Sequence, residues 1–461
     1  GASNVLSILG LTVGNAPLAD PRSVPLTVNY NLFFLPQNNY RPRLADPRVG
    51  YFVAQRQDVT EDKEEQMKRF ILRWHLEKQD PTAPLSPPKE PIVFWLDHAI
   101  PEEYREAVKR GLLLWNKAFE KIGIKDAIVV KQMPDDADWD HADMRYNVIR
   151  WVSSEANGYA VALFRANPLT GQILNASITV DANITRFNKI EFQRMVDPLI
   201  GMRGSSADMP SAPSAGWKPT LRHRCTYAQE ALPQAWLGWT AMNFLAGAKG
   251  TKVSEKQYVE DFLTSIVAHE MGHILGLRHN FIASTLNDMK QLADGTRVRQ
   301  VGVVSSVMDY IPFNQAALHS PNNAYWMTTI GPYDYWAIEY GYTPIEASSP
   351  EAEKEKLKAI ACKVNQPGHA YMSDEVADSF DPLITRFDLG KDPLEYWTRL
   401  LQDVRALLHH LPTRIPKKGE NYWQFTRHFN GLLSMYGQAA SIIARYVGGL
   451  HLRGNHRGDP G

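Results

Sequence analysis

Residues 269–281, "HEMGHILGLRHNF", constrain the local fold more than any other stretch of the chain. Three of the 14 histidines in the 461-residue chain fall between His269 and His279. The preceding residues predict a helix that begins after Ser254, a suitable N-cap, and carries much apolar surface. On such a helix His269 and His273 stand at i and i+4, so their rings lie on one face and can reach one ion.

The third histidine can join the first two only if the helix ends before it. A continuous helix would carry His279 about 9 Å beyond His273, at about 1.5 Å per residue. Gly276 lies between them and accepts a left-handed backbone without a Cβ penalty. The sequence therefore predicts that the helix ends near Gly276 and that the turn brings the third imidazole back to the others.

The donor set of this cluster predicts a catalytic zinc site. Three neutral imidazoles, from His269, His273 and His279, leave one tetrahedral position of zinc open for water, which is typical of catalytic centres. Glu270 follows the first ligand, where a general base for that water is expected. The alternative is a helix with chance surface histidines, and each added constraint on the spacing counts against it.

The motif resembles the long zinc-binding consensus of the metzincin metallopeptidases, H-E-x-x-H-x-x-G-x-x-H. Metzincins also have a Met-turn downstream, and "SSVMDY" at residues 305–310 is similar to one. The resemblance implies that Met308 lies beneath the zinc-binding rings. It also implies that Tyr310, two residues later, lies near the metal and assists catalysis. Taken alone, Met308 would be explained by core packing and Tyr310 by a ring that fills the turn.

Further segments resemble a group of large bacterial zinc-dependent metallopeptidases that are usually exported. They include "RPRLADPRVGYF", "PIVFWLD", "YREAVKRGLLLWNKAFEKIG" and "GPYDYWAIEYGY". The likeness covers roughly residues 20–345 and implies a metzincin fold, without indicating a substrate. It also implies a periplasmic, cell-surface or secreted location, although the chain shows no clear signal peptide and no apolar run long enough for a membrane span.

Charge and cysteine content set further bounds. Lysine plus arginine and aspartate plus glutamate number 50 each, so no net charge draws the chain to nucleic acid or to anionic membranes. Only Cys225 and Cys362 are present. The exported location that the resemblance implies favours a disulfide between them, and two free thiols are the alternative. Neither cysteine has the spacing of a metal ligand.

The predicted fold class is α+β, with a metzincin-like catalytic domain made of a twisted mixed sheet, a zinc-binding helix and a Met-turn. Residues 1–85 form a β-rich segment, with strands expected in "VPLTVNYNLFFLP", "RVGYFVAQR" and "FILRWHLEK". A connector with five prolines at residues 80–91 marks the boundary. Residues 86–345 form the peptidase domain, in which 187–250 is an insertion that shapes the cleft, and 346–461 are mainly helical.

Inside the peptidase domain we expect strands in "PIVFWLD", "AIVVKQM" and "YNVIRWV", and one helix over residues 101–123. "GQILNASITVDANIT" alternates apolar and polar residues, and the resemblance implies that it is the antiparallel edge strand above the zinc cleft. A peptide or protein substrate would then pair with this edge near residues 174–180. An ordinary, fully paired strand is the alternative.

An acidic run at residues 134–147 raises calcium as a second ion. Its carboxylates are hard oxygen ligands, and they belong to Asp135, Asp136, Asp138, Asp140 and Asp143. The spacing differs from an EF-hand loop, so a solvated acidic loop is the alternative.

The predicted function is that of a zinc-dependent endopeptidase with Glu270 as the general base. One alternative is a zinc-stabilised binding module without turnover, and another is a non-peptide amide hydrolase that uses the same water. The presence of Glu270 favours a hydrolase over a module without turnover, because a degenerate site often lacks the base.

Overall fold

The computed structural model describes residues 28, 30–60, 66–154, 158–186, 225–245, 253–320, 324–414, 418 and 422–459. Contacts divide the chain into two units, Gly1–Pro36 and Gln37–Gly461. In the first unit the described residues, 28 and 30–36, form neither helix nor strand. The strand predicted in "VPLTVNYNLFFLP" is therefore wrong for these residues, because they have no backbone ladder, and the rest of that segment lies outside the described residues.

The second unit begins with a two-stranded antiparallel ladder of β1 (Val53–Gln57) and β2 (Met67–Ile71). The prediction for "RVGYFVAQR" is confirmed in its second half. The prediction for "FILRWHLEK" is wrong beyond Ile71, because the backbone there leaves β1 and makes an isolated bridge between Arg73 and Gln172. The proline-rich segment that follows forms only isolated bridges, as expected of a connector.

A five-stranded mixed sheet with the order β4-β3-β5-β7-β6 supplies the upper wall of the site. Its strands are β3 Ile92–Leu96, β4 Ile128–Gln132, β5 Asn147–Val152, β6 Ala160–Ala166 and β7 Ile173–Asp181. β3 pairs in parallel with β4 and β5, β5 pairs in parallel with β7, and β6 pairs antiparallel with β7. The predicted mixed sheet and four of its strands, β3, β4, β5 and β7, are confirmed.

The strand expected at the edge is not an edge. β7, which contains residues 174–180, is hydrogen-bonded on both sides, to β5 and to β6. β6 (Ala160–Ala166) takes the edge position because a turn at residues 167–172, with Gly171 at φ +81°, folds it back along β7. The placement of substrate along residues 174–180 is therefore wrong in its structural premise, since no free backbone edge is present there.

The helix predicted over residues 101–123 is present in two parts, α1 (Glu102–Leu113) and α2 (Asn116–Lys121). The break lies at Trp115, whose buried indole donates from Nε1 to the Ala268 carbonyl at 2.9 Å. This hydrogen bond ties the segment between α1 and α2 to the helix that carries His269.

The remaining helices cover the lower half and the C-terminal region. They are α3 Tyr227–Leu245, α4 Glu255–Ile274, α5 Met289–Ala293, α6 Gly295–Val301, α7 Pro332–Tyr342, α8 Lys354–Ala361, α9 Pro393–Arg414 and α10 Trp423–Ala444. Short 3-10 helices occupy Ala182–Arg186, Ala283–Leu286, Gln315–His319, Glu351–Glu353 and Cys362–Asn365. The predicted helical character of the C-terminal region is confirmed.

The N-terminal part of this unit packs on its C-terminal part. The buried guanidinium of Arg43 pairs with Glu353 at 2.9 Å and donates to the Tyr340 carbonyl at 2.9 Å. Residues 37–461 thus form one unit by contacts. The division at residues 85/86 and 345/346 stays a prediction about regions inside that unit. In the described part of the chain, no helix is long and apolar enough to cross a membrane.

Candidate metal centre

The helix α4 carries the first half of the site. Ser254 caps it, with its hydroxyl accepting from the Gln257 amide at 3.2 Å, as the sequence predicts. From Phe262 to Ile274 every residue is buried, because α1 and the sheet cover one side and the Met-turn covers the other. His269 and Glu270 therefore lie inside the protein and are fully screened from solvent.

The turn at Gly276 brings the third histidine back. Its φ is +93°, and a Cβ at this position would lie 2.0 Å from the Leu72 carbonyl oxygen. The Gly276 carbonyl accepts from the Phe52 amide at 2.8 Å, and the Arg278 amide donates to the Gly50 carbonyl at 2.9 Å. The predicted helix-ending glycine is thus found in the predicted conformation, and the segment before β1 holds the turn in place.

The three imidazoles converge through their Nε2 atoms. The Nε2 atoms of His273 and His279 are 3.1 Å apart, and all three rings are at least 96% buried. Each Nδ1 atom has an acceptor: the Val307 carbonyl for His269 at 2.7 Å, the Leu277 carbonyl for His273 at 2.8 Å and a carboxylate for His279 at 2.7 Å. These acceptors hold the proton on Nδ1 and leave each Nε2 lone pair free for a metal.

Burial also keeps two of these rings, those of His269 and His273, neutral. It lowers the pKa of His273 to about 3, with the neighbouring His279 adding to the effect. It lowers the pKa of His269 well below the usual value, with both other rings adding to the effect. Neutral imidazole is the form that binds a metal, so these two rings can bind a cation without first losing a proton.

The Met-turn, residues 305–310, lies against α4 between the first two histidines. Met308 is fully buried, and a Cβ added to Gly272 would lie 2.2 Å from its sulfur. The buried Asp334 holds the turn by accepting from the Ser306 hydroxyl at 2.6 Å and from the Val307 amide at 3.0 Å. These contacts hold Met308 against Gly272, the residue before His273, and its place beneath the rings stays a prediction.

Cys225 joins the cluster from the residue pair just before α3. Its Sγ atom is 3.3 Å from His269 Nε2, and the ligand atoms of Cys225 and the three histidines all lie within 4.8 Å of one another. The disulfide expectation is wrong, because Cys225 and Cys362 are both free, Cys225 being buried at the metal centre. Cys225 lacks the sequence spacing of a metal ligand and yet lies in the cluster, because linear spacing does not report contacts made by tertiary folding.

Glu270 faces the same cavity from the helix. The Cys225 thiol donates toward its Oε1 atom at 3.4 Å. Burial raises the pKa of Glu270 to about 7, against the opposing effects of the Cys225 thiol and the Ala162 backbone. A carboxyl group with such a pKa exchanges a proton readily near neutral pH.

Tyr310 closes the cluster on the other side. Its ring is stacked on Tyr227 at 5.1 Å between centroids and lies 4.9 Å from the ring of His279. Its hydroxyl accepts from the Thr226 amide at 2.9 Å and donates toward Cys225 Sγ at 3.5 Å. Tyr310 therefore lies beside the ligand atoms, and its role in catalysis stays a prediction.

The donor set fits zinc. With zinc bonds of about 2.0–2.1 Å to nitrogen and about 2.3 Å to sulfur, neighbouring ligand atoms of a tetrahedral site lie about 3.3–3.6 Å apart. The closest pairs in this cluster, at 3.1 Å and 3.3 Å, are close to that spacing. Among the described residues, Cys225 and the three histidines form the group of side chains that could hold a metal ion.

Comparison with family models supports the same conclusion. Residues 251–461, which contain the three histidines and the Met-turn, match a family model described as Met-zincin. These residues are therefore similar to the Met-zincin family. Residues 4–79 match a second model, described as a domain of unknown function (DUF5117). No curated protein and no solved structure matches the chain significantly. The α+β metzincin fold inferred from the motif is thus confirmed, and the exported location stays an expectation.

Two site residues escape the sequence reasoning. Cys225 lies outside the matched Met-zincin residues and enters the centre from the segment before α3. Asp374 lies inside the matched residues, 95 residues beyond His279, and accepts from its Nδ1 atom at 2.7 Å. Although burial opposes ionisation, the hydrogen bond from His279 and the charge of Arg278 hold the pKa of Asp374 below its usual value. Only the rarity of cysteine in the chain could have singled out Cys225, and no local pattern marks Asp374.

The predicted calcium ligands do not form a comparable cluster. Asp143 is turned toward Arg145, with an ion pair of 2.6 Å, and Asp140 accepts from the Ala142 amide at 2.7 Å. Such contacts are typical of an acidic surface loop, so the structure gives calcium no support within the described residues.

Proposed function

We propose that the protein is a zinc-dependent endopeptidase in which His269, His273 and His279 hold the ion and Glu270 is the general base. The observation that carries the proposal is the buried cluster of three imidazoles with Glu270, equally buried, on the residue after His269. The Met-zincin match supports the reaction class. When bound, zinc supplies a Lewis acid that acidifies water and polarises a carbonyl oxygen.

The protein's own groups account for the proton transfers. The Glu270 carboxylate accepts a proton from the attacking water and returns it to the departing amine, which its raised pKa of about 7 allows. The buried walls keep bulk water from competing. The Tyr310 hydroxyl lies 3.5 Å from Cys225 Sγ and is proposed to donate to the oxygen that becomes negative, once it is no longer directed at that sulfur.

We further propose that substrate binds as an extended strand along β6. This strand is the edge of the sheet, and no described strand pairs with its outer side. It also contacts α4, and the backbone of Ala162 influences the Glu270 carboxyl. An extended peptide that added to this edge would pass next to the general base, and backbone pairing would accept many sequences.

The test is a digestion of a mixed peptide library by zinc-loaded protein, with the cut sites identified by mass spectrometry. Glu270→Gln should keep its zinc and its fold but lose cleavage by several orders of magnitude, because the proton acceptor is gone. Glu260→Gln, on the same helix and ion-paired only with Lys256 in the described residues, is the matched control and should cleave normally. Cleavage by Glu270→Gln at the control's rate would remove Glu270 from the reaction.

One observation favours a second candidate function, a zinc-stabilised binding module without turnover. Cys225 completes a set of four ligand atoms, and four protein ligands are typical of structural zinc. Under this alternative the wild type would bind zinc most tightly, and a variant that lacks one of the four ligands would bind it less tightly. None of these proteins would cleave the peptide library.

A further inference from the structure

We infer that Cys225 is the fourth ligand of the metal, so that the resting centre is a closed site of three histidines and one cysteine. The thiol sulfur is 3.3 Å from His269 Nε2, and its distances to the other Nε2 atoms do not exceed 4.8 Å. All four side chains are buried. A thiolate is a preferred zinc ligand, and the closest sulfur–nitrogen distance matches the edge of a tetrahedral zinc site, about 3.3–3.6 Å.

The position of Cys225 is fixed by its neighbours and does not depend on the metal. The next residue, Thr226, donates its amide to the Tyr310 hydroxyl at 2.9 Å and its hydroxyl to Glu230 at 2.7 Å. Glu230 in turn pairs with Arg386 at 3.0 Å. These contacts link the start of α3 to the Met-turn and to the C-terminal region. They hold the Cys225 sulfur next to the ligand atoms of the histidines.

Ordinary packing explains this cysteine poorly. A buried cysteine that acts as a small hydrophobic residue would lie among apolar atoms. The Cys225 sulfur instead lies within 3.5 Å of three polar atoms: His269 Nε2, Glu270 Oε1 and the Tyr310 hydroxyl. This is the environment of a ligand that shares the cavity with the catalytic groups.

A closed centre has a consequence for turnover, which rests on the proposed peptidase function. The water that Glu270 would deprotonate needs the position that the Cys225 sulfur holds. Cleavage would therefore require an exchange of ligands in which the Cys225 thiolate takes up a proton that solvent supplies and a water molecule takes the place of the sulfur. This is a ligand exchange without oxidation or reduction, and it would make Cys225 a built-in block on activity.

Cobalt substitution tests the ligand assignment without any activity measurement. Co²⁺ bound to a thiolate has a charge-transfer absorption band in the near ultraviolet that Co²⁺ bound only to nitrogen and oxygen lacks. We expect the band in the full-length wild type and in Cys362→Ser, and its loss in Cys225→Ser. A wild type that binds Co²⁺ without the band, or a band that survives in Cys225→Ser, overturns the inference.

X-ray absorption at the zinc edge of the wild type gives the same answer if the serine variant does not fold. One sulfur neighbour at about 2.3 Å is expected beside three nitrogen neighbours at about 2.0–2.1 Å. A zinc shell of nitrogen and oxygen alone contradicts a cysteine ligand.

Activity then separates the inference from the function on which its consequence rests. With the cobalt band present, Cys225→Ala should cut the peptide library faster than the wild type by an order of magnitude or more, because the blocked position is open. Equal rates in the two proteins overturn the block. No cleavage by either protein leaves the ligand assignment in place and counts against the peptidase. If the band is absent, the ligand assignment fails whatever the rates are.

Discussion

Replacing Gly276 with alanine tests how the third histidine is brought to the centre. Gly276 has φ +93°, a left-handed conformation that costs a residue with a Cβ about 1–2 kcal/mol. A Cβ there would also lie 2.0 Å from the Leu72 carbonyl oxygen and 3.1 Å from Tyr51. The Leu72 backbone cannot yield freely, because its amide donates to the Phe52 carbonyl at 2.8 Å.

The two effects set the size of the expected loss. Forcing extra volume into a packed site costs about 1–3 kcal/mol. Added to the conformational cost, this predicts that Gly276→Ala lowers the free energy of unfolding by about 2–5 kcal/mol. Because the turn would shift away from Leu72, His279 should also move, and zinc should be held less tightly.

Gly448→Ala is the matched control. Gly448 also has a left-handed φ, +78°, but a Cβ there would meet nothing within 4 Å among the described residues. It should lose only the conformational part, about 1–2 kcal/mol, and keep its zinc. The assay is urea denaturation with the metal chelated, followed by zinc analysis of reloaded protein. Equal losses in the two variants, or full zinc retention in Gly276→Ala, would refute the reasoning.

Three more changes probe the surroundings of the centre. Asp374→Asn should weaken zinc binding by about 10- to 100-fold, because the imidazole of His279 loses the carboxylate that orients it. Glu375→Gln, in which the lost carboxylate pairs with an arginine, should bind zinc as the wild type does. Competition with a chelator measures both affinities, and equal affinities in the two variants would contradict this. Gly272→Ala should destabilise the protein, because its Cβ would lie 2.2 Å from the Met308 sulfur. The control is Gly437→Ala, also in a helix, where a Cβ would meet nothing within 4 Å among the described residues; its free energy of unfolding in urea should rise by about 1 kcal/mol. A rise in both variants would mean that the sulfur packs loosely. Burial raises the pKa of Asp334 to about 7, whereas its pKa in the unfolded chain is near 4. The stability that protonated Asp334 contributes is therefore complete below about pH 4 and is lost as the pH rises through about 7. The wild type should therefore lose stability relative to Asp334→Asn between about pH 4 and pH 8, and parallel urea midpoints across that range would count against it.

The part of the site that the sequence predicts is the part that local geometry determines. His269 and His273 are one helical turn apart, and Gly276 permits the turn that returns His279, so a short stretch of chain contains the whole argument. Its result is found in the structure, with the three Nε2 atoms in one buried cluster. Met308 required the family resemblance, because a methionine alone does not indicate what lies above it.

The residues that escape prediction reach the site across the fold. Cys225 is 44 residues from His269, and Asp374 is 95 residues from His279. Which distant segments meet depends on how the sheet, α3 and the C-terminal region pack, and no spacing rule reports that. The disulfide expectation rested on the exported location that the resemblance implies, and a location does not tell which residues meet in the fold.

The wrong edge strand has a different cause. The alternation of apolar and polar residues in β7 predicts a strand correctly, but it does not tell which strands lie beside it. The hairpin that places β6 outside β7 depends on the turn at residues 167–172. Gly171 takes a left-handed conformation in that turn, and only a prediction of the turn would have placed β6 beside β7.

The central claim, that one metal ion is held by three histidines, is tested most directly by the zinc content of extensively dialysed protein. The wild type should retain one zinc per chain, and His279→Ala should lose most of it. His409→Ala, which removes an exposed histidine of α9, should retain zinc as the wild type does. A wild type without zinc, or equal retention in His279→Ala and His409→Ala, would contradict the account.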